Sequence, residues 1–177
     1  MGAVKVLKPV SLAEYLRSEP DSRQQREYVR GTVRAMAGAS EQHNRLAGRV
    51  YARLLQAEDR GCRAFIGDMR LNIGDVQYYP DVMLVCQDDP YQKRHPCVLV
   101  EVLSPSTRNT DLLEKRLAYT GIESLQLYLI LEPQHPKVVG YYRIPEGFEE
   151  RQWEGEGTVE VPCAGISLEL SELYQNL

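Results

Sequence analysis

Two apolar runs in the middle of the chain each carry a carboxylate, and a sheet has to accommodate both. The first is Pro80-Asp81 followed by Val82–Val85, and the second is Cys97–Leu103, which contains Glu101. The second run is almost continuously apolar, as in a central strand covered on both faces. A charge in such a strand is costly unless it is paired, metal-bound or placed at a solvated strand end. Pro80 cannot donate to a ladder, so Asp81 is expected at a bulge or strand edge where its side chain is re-aimed. Glu101 has apolar neighbours on both sides. Mg²⁺ prefers oxygen ligands and is usually held by one or two carboxylates plus water and substrate phosphate, a minimum that two strand acids supply. The ordinary alternatives are a turn residue for Asp81 and a buried ion pair for Glu101.

The remaining elements follow from periodicity and punctuation. Ser11 with Glu14 forms a capping-box pattern, with Val10 and Tyr15 placed as a hydrophobic staple, so a short helix is expected at about 11–18. Residues 26–36 read as two short strands around Arg30-Gly31. Ser40 caps a helix running to about residue 57, with Leu46, Ala47, Val50, Tyr51, Leu54 and Leu55 as its apolar stripe and Gly61 as its close. Segments 62–73 and 76–86 read as one hairpin joined at Gly74-Asp75, glycine first as a II′ turn prefers. A polar loop is expected over Gln87–Pro96 and a turn at Ser104-Pro105-Ser106. Asp111 with Glu114 caps a helix at about 111–120 that Gly121 stops. Leu125–Leu131 is a second buried strand, and 137–144 with 148–153 form a peripheral hairpin around Pro145-Glu146-Gly147. Thr158–Val161 is a weaker strand, and Ser171–Leu177 a terminal helical turn. This order gives one domain over residues 1–177, an α/β or α+β sandwich with a mixed central sheet.

Lys115 falls on a largely apolar helix face near Leu112, Ala118 and Tyr119. An amine there would position or deprotonate an attacking water and stabilise a pentavalent phosphate. The plain alternative is an i,i+4 pair with Asp111, worth a few tenths of a kcal/mol. Two acids on strands and a lysine close behind are the parts of a metal-dependent phosphodiesterase. Arg45, Arg49 and Arg53 form a row beside the apolar stripe of their helix. That row reads first as a solvated face, and second, for Arg45 and Arg49, as phosphate contacts.

The bulk numbers set the frame. At 177 residues, with 43% hydrophobic and 26% charged residues, the chain has the composition of a globular protein. No apolar run approaches the ~20 residues that span a bilayer, and the N-terminal stretch lacks the pattern of a signal peptide, so a cytoplasmic protein without a membrane partner is expected. Its formal net charge of −4 weighs against a nucleic-acid binder without excluding one. Cys62, Cys86, Cys97 and Cys163 are scattered without metal-ligand spacing, so reduced buried thiols are expected and zinc is not.

These motifs together resemble the Uma2-like family (the domain of unknown function numbered 820), assigned to the PD-(D/E)XK restriction-endonuclease-like superfamily. The matching residues are Glu27-Tyr28 with Gly31, His43, Pro80-Asp81-Val82, Glu101–Pro105, Asp111 with Lys115 and Tyr119, and Leu125–Leu131. They span about residues 10 to 145. The resemblance implies an αβββαβ core flanked by helices, with an extra C-terminal hairpin, and a divalent ion, Mg²⁺ or Mn²⁺, held by Asp81 and Glu101. The superfamily places its lysine two residues after the second acid, where this chain has Leu103; the family is thought to move it to the helix, which makes Lys115 its counterpart. Glu27 resembles the family's N-terminal acid and would reach the metal directly or through water, although the usual Tyr-then-Glu order is reversed here. His43 is either a half-buried helix-start histidine or a residue that contacts phosphate or shuttles a proton. Ser104 either caps the turn after Glu101 or hydrogen-bonds near the metal site.

The leading expectation is a Mg²⁺-dependent endonuclease acting on DNA, for which a homodimer would be the arrangement that cuts both strands. The second is a binding module for nucleic acid or a partner that kept the fold without catalysis. The third is a structural domain whose acids are ion-paired.

Overall fold

Seven consecutive residues from Pro96 to Val102 are buried, and the layers are arranged around that strand. The computed structural model describes residues 8–86 and 95–177, and of Asp111 the backbone alone. The loop expected over Gln87–Pro96 therefore lies largely outside the described residues, as does the side chain of Asp111.

In chain order the elements are α1 (Leu12–Ser18), β1 (Arg26–Val29), β2 (Thr32–Ala35) and α2 (Glu41–Leu54), which tightens into a 3₁₀ turn at Leu55–Arg60. β3 (Arg63–Ile66), β4 (Leu71–Ile73), β5 (Val76–Tyr78), β6 (Val82–Val85) and β7 (Pro96–Val102) follow. A wide π-turn at Thr110–Lys115 leads into α3 (Arg116–Thr120). The chain ends with β8 (Leu127–Glu132), β9 (Lys137–Ile144), β10 (Gly147–Glu154), β11 (Thr158–Val161), β12 (Ile166–Glu169) and α4 (Leu170–Leu173).

The central sheet has the order β10-β9-β8-β7-β6-β3, with β7 and β8 parallel and the other pairs antiparallel. Strand alternation then sorts the side chains. Val98, Val100 and Val102 join Leu46, Val50 and Leu54 of α2 in one core. Leu99 and Leu103 join Met83, Tyr119, Tyr128 and Ile130 in the core on the opposite face. Glu101 has the parity of Leu99 and Leu103, so its carboxylate is directed to the face that carries α3. The sequence order α2, β3, β6, β7, α3, β8 is the expected αβββαβ core, and the long β9–β10 hairpin extends the sheet.

The local signals account for most of the elements. The Ser11–Glu14 capping box is present in both directions, and Ser40 Oγ accepts the His43 amide. Arg30 and Gly31 both adopt left-handed φ, 44° and 95°, in the tight β1–β2 turn. Gly31 also lies against Pro9, whose Cβ would sit 2.9 Å from an added Cβ, so a side chain is excluded on two counts.

Three expectations change, and one expected strand gains a partner. The segments 62–73 and 76–86 do not form one hairpin. β3 pairs with β6 in the central sheet, whereas β4 and β5 turn at Gly74-Asp75 into a second sheet of order β2-β1-β5-β4. Pro80, with no N–H, and the bond from Gly67 N to Asp81 O mark where the ladders part. The helix expected at about 111–120 instead enters through the π-turn at Thr110–Lys115, whose Asn109 N-cap makes no side-chain hydrogen bond to it, and Glu114 turns to Arg34 and Tyr78; the Asp111 cap lies outside the described residues. Thr158–Val161 has a partner strand, β12, whose Ile166–Glu169 sequence carries too little apolar signal to stand out. The cysteines are bonded as Cys62–Cys86 and Cys97–Cys163, not reduced. Among the described residues no helix is long and apolar enough to cross a membrane.

Leu129, fully buried in β8, and Leu117, 72% exposed on α3, test this layering. Leu129→Ala should lower unfolding free energy by about 2–5 kcal/mol in urea titrations, and Leu117→Ala should stay within about 0.5 kcal/mol of the parent.

Candidate active site

Glu101 is 2% exposed, and its burial is compensated from α3. Its Oε1 accepts Lys115 Nζ at 3.0 Å and the Tyr119 hydroxyl at 2.7 Å. Lys115 and Tyr119 are four residues apart, one at the end of the π-turn and one in α3, so successive turns aim both donors at one oxygen. π-turns inside helices are frequent at functional sites, because the wider turn redirects side chains. Burial, and then the neighbouring Glu101 charge, raise the Tyr119 hydroxyl well above its ordinary value, so it stays a donor.

Lys115 is 3% exposed and also meets Glu27 Oε1 at 3.1 Å, with its Nζ 5.4 Å from the centre of the Tyr78 ring. Glu27 belongs to β1, so one lysine ties the second sheet to the central one. Its Oε1 is buried with no hydrogen-bond partner and is held by charge alone. Two carboxylates thus meet Lys115 from different sheets, and the i,i+4 alternative with Asp111 lies outside the described residues.

Asp81 sits just before β6, where Pro80 was expected to set it at a strand edge. Its Oδ2 accepts the Val102 amide at 2.7 Å and lies 3.1 Å from His43 Nε2. A carboxylate only accepts, so Nε2 is the protonated nitrogen of His43 in this contact. The Val102 bond places Asp81 beside the residue that follows Glu101. His43, in the first turn of α2, holds Asp81 from the opposite layer.

Glu27, His43, Asp81, Glu101, Ser104 and Lys115 all line one open cavity of ≈ 540 Å³. Ser104 Oγ accepts the Thr107 amide at 3.2 Å, so it caps the turn after β7 while lining the cavity. The row on α2 does not join them. Arg45 pairs with Glu41 at 3.7 Å, Arg49 donates to the Leu173 carbonyl at 2.8 Å, and Arg53 meets Glu172 at 3.5 Å. Arg49 and Arg53 thus hold α4 against α2, and neither Arg45 nor Arg49 lines the cavity.

Sequence reasoning overlooked the support around Lys115. Arg34 makes a fork to Glu114, 2.9 and 3.0 Å, and the Tyr78 hydroxyl donates to the same carboxylate at 2.8 Å. Burial works against the Glu114 charge, but the Arg34 and Tyr78 hydrogen bonds outweigh it and hold the carboxyl below its ordinary value of 4.5. Nothing in the local sequence links positions 34, 78 and 114.

The donor set fits a divalent ion. Three carboxylates against Arg34 and Lys115 leave one net negative charge on the cavity lining when His43 is neutral, and oxygen donors suit a hard cation. Asp81 Oδ1 carries none of the bonds described above, and Glu27 Oε1, in ion-pair contact with Lys115, accepts no hydrogen bond among the described residues.

An α+β fold with a mixed sheet and acids gathered where β6 and β7 meet defines a nuclease-like architecture. The chain belongs to the Uma2 family, described as "Putative restriction endonuclease", whose profile matches residues 12–171. Two proteins of Synechocystis sp. are similar. Uncharacterized protein sll1609 is 33% identical over 163 residues, covering 86% of this chain and 89% of that protein. Uncharacterized protein slr1290 is 29% identical over 178 residues, covering 95% and 93%. A crystal structure from Anabaena variabilis, described as a "putative nuclease belonging to DUF820", shares the fold with a TM-score of 0.79 at 20% identity, covering 94% of this chain and 98% of that one.

Two substitutions test the electrostatics. Tyr119→Phe leaves the Glu101 carboxylate one donor short and should cost about 1–3 kcal/mol in chemical denaturation. Glu114 has a depressed carboxyl in the folded state, so its contribution is present above pH 4.5 and is lost as pH falls through the lower folded value. The stability gap between the parent and Glu114→Gln should therefore be open at pH 7 and close in acid, as melting curves across pH will read.

Proposed function

We propose that this chain is a divalent-metal-dependent endonuclease that hydrolyses DNA phosphodiesters. The observation that carries the reading is the placement of Lys115 Nζ 3.0 Å from Glu101, although the position two residues after that acid is Leu103. The family's printed description supports the same reaction class, and the open cavity supplies room for a phosphate.

Asp81 and Glu101 would hold Mg²⁺ or Mn²⁺, with Glu27 as the third carboxylate within reach of Lys115. Such an ion, when bound, neutralises phosphate charge and lowers the pKa of a coordinated water. The remaining work belongs to the chain. Lys115 presents a positive charge on the cavity wall, where it orients the attacking water or offsets the charge that develops on phosphorus. Tyr119 keeps Glu101 in place, and His43, through Nε2, keeps Asp81 in place. Both are positioning residues. A pair of copies is the arrangement that would let two such cavities cut opposite strands.

A binding module that retains the fold is the second reading. It is favoured by the double commitment of Lys115 to Glu27 and Glu101 and by the net charge of −4. Plasmid cleavage separates the two. With Mg²⁺ present, the parent should nick or linearise supercoiled DNA, and Asp81→Ala and Lys115→Ala should each lose about 10²-fold or more while keeping the parent circular-dichroism spectrum. Cutting by both variants at the parent rate would sink the mechanism. DNA retention in mobility-shift assays without any cutting would select the binding module.

A further inference from the structure

The four cysteines, far apart in sequence, meet at one point in the fold. Cys62 precedes β3 and Cys86 follows β6; the β3–β6 register sets them opposite each other, with Cα atoms 3.9 Å apart. Cys97 lies at the start of β7, the next strand in the sheet. Cys163 comes from the turn between β11 and β12. The Sγ atoms of Cys86, Cys97 and Cys163 all lie within 4.8 Å of one another, and Cys62 is bonded to Cys86. Two disulfides from four different elements thus share one site. Cys62 and Cys97 are 2% and 5% exposed, and Cys86 and Cys163 are half-buried.

This site is separate from the acidic cavity. Cys97 and Glu101 lie four residues apart on β7, roughly 13 Å along the strand, and Asp81 and Cys86 flank opposite ends of β6. The two ends also differ in donor chemistry. Carboxylate oxygens gather at one end, suited to a hard ion, and sulfurs at the other, suited to a soft one.

We propose that Cys62, Cys86, Cys97 and Cys163 form a tetrathiolate zinc site, of which the two disulfides are the oxidised, metal-free form. Four thiolates around Zn²⁺ at about 2.3 Å stand roughly 3.8 Å apart, a spacing that the 4.8 Å envelope of three of these sulfurs accommodates. The ligands come from strand ends and a hairpin turn in place of closely spaced pairs, which is why their spacing carries no zinc signature. The steps balance. A thiol or phosphine reductant supplies two electrons to each disulfide, and four protons from water complete four thiols. Zn²⁺ then displaces those four protons, leaving a centre of net charge −2. Arg60 is in place to offset that charge, because its Nη1 already donates to the Ala164 and Gly165 carbonyls, 2.6 Å each, in the turn that carries Cys163. The ion would tie β11–β12 to the central sheet as the Cys97–Cys163 bond does.

The test uses the full chain, reduced with a phosphine under inert gas and dialysed against Zn²⁺ or Co²⁺. Elemental analysis should find one zinc per chain, and Co²⁺ should give the sulfur-to-cobalt charge-transfer and visible bands of a tetrahedral thiolate centre. Cys163→Ser should weaken Zn²⁺ retention against a chromophoric chelator by at least about tenfold, whereas Asp81→Ala should leave it unchanged. The cobalt spectrum of the parent needs no variant and stands if Cys163→Ser fails to fold. Four thiols that react freely with an aromatic disulfide in the presence of equimolar Zn²⁺ would overturn the proposal, as would a cobalt spectrum without sulfur-to-metal intensity. Zinc retained by Cys163→Ser but lost from Asp81→Ala would overturn it too, by assigning the ion to the carboxylates.

Discussion

A carboxylate buried inside a seven-residue strand sets the terms for much of the molecule. Glu101 sits in β7 with the sheet continuing on both sides and a core on each face, where an uncompensated charge would cost several kcal/mol. Lys115 at the end of the π-turn and Tyr119 of α3 meet that cost, and Lys115, itself buried, also contacts a second acid, Glu27 of β1. The chain of compensation then reaches outward. Glu114, one residue before Lys115, is held by Arg34 from β2 and Tyr78 from β5. The polar network therefore does structural work as well as lining the cavity. With Leu71, Val76 and Tyr78 packed in the apolar core on the same face, it docks the small β2-β1-β5-β4 sheet onto the side carrying α3.

That arrangement lets the amine beside Glu101 come from the helix side of the sheet. A lysine at position 103 would share the parity of Glu101 and point to the same face, which here is filled by Leu103 packed in the second core. The π-turn supplies the same amine from the opposite wall. It redirects the helix so that Lys115 and Tyr119 both face the sheet, and Leu113 and Leu117 are left in solvent at 59% and 72% exposure. With the amine supplied from the helix side, Lys115 contacts Glu101 while Leu103 packs in the core.

Much of this was legible before any coordinates. Strand alternation with an intruding acid marked Asp81 and Glu101, and the helical position of Lys115 followed from its apolar neighbours. The termini of α1 and α2 were visible because caps are local. What escaped were features set by pairing across distance. The split of 62–86 between two sheets depends on β1 capturing β5, which no local pattern encodes. The Arg34–Glu114–Tyr78 group joins three positions that are remote in the chain. Arg49 looked like a surface cation because its partner, the Leu173 carbonyl, is a backbone atom near the other end of the chain. The cysteines were misread as reduced thiols for the same reason, since the pairs Cys62–Cys86 and Cys97–Cys163 join elements that spacing along the chain does not bring together.

The sheet thus carries two polar clusters of opposite chemical character at its two ends, both seated on β6 and β7. The antiparallel β6–β7 pair makes this unavoidable: the start of β6 lies beside the end of β7, so Asp81 comes next to Glu101 and Val102, while the end of β6 lies beside the start of β7, so Cys86 comes next to Cys97. Apolar residues between them, Val82 to Val85 and Val98 to Val100, insulate one cluster from the other. The same pairing that builds the acidic cavity therefore fixes the cysteine cluster. A shift of one residue in that ladder would turn the strand residues to the wrong face and disperse both groups at once. The irregularity in the ladder between Leu84 and Val85 sits at the cysteine end, so Val82 and Met83, the pairs nearest the carboxylates, keep the regular register on which the position of Asp81 depends.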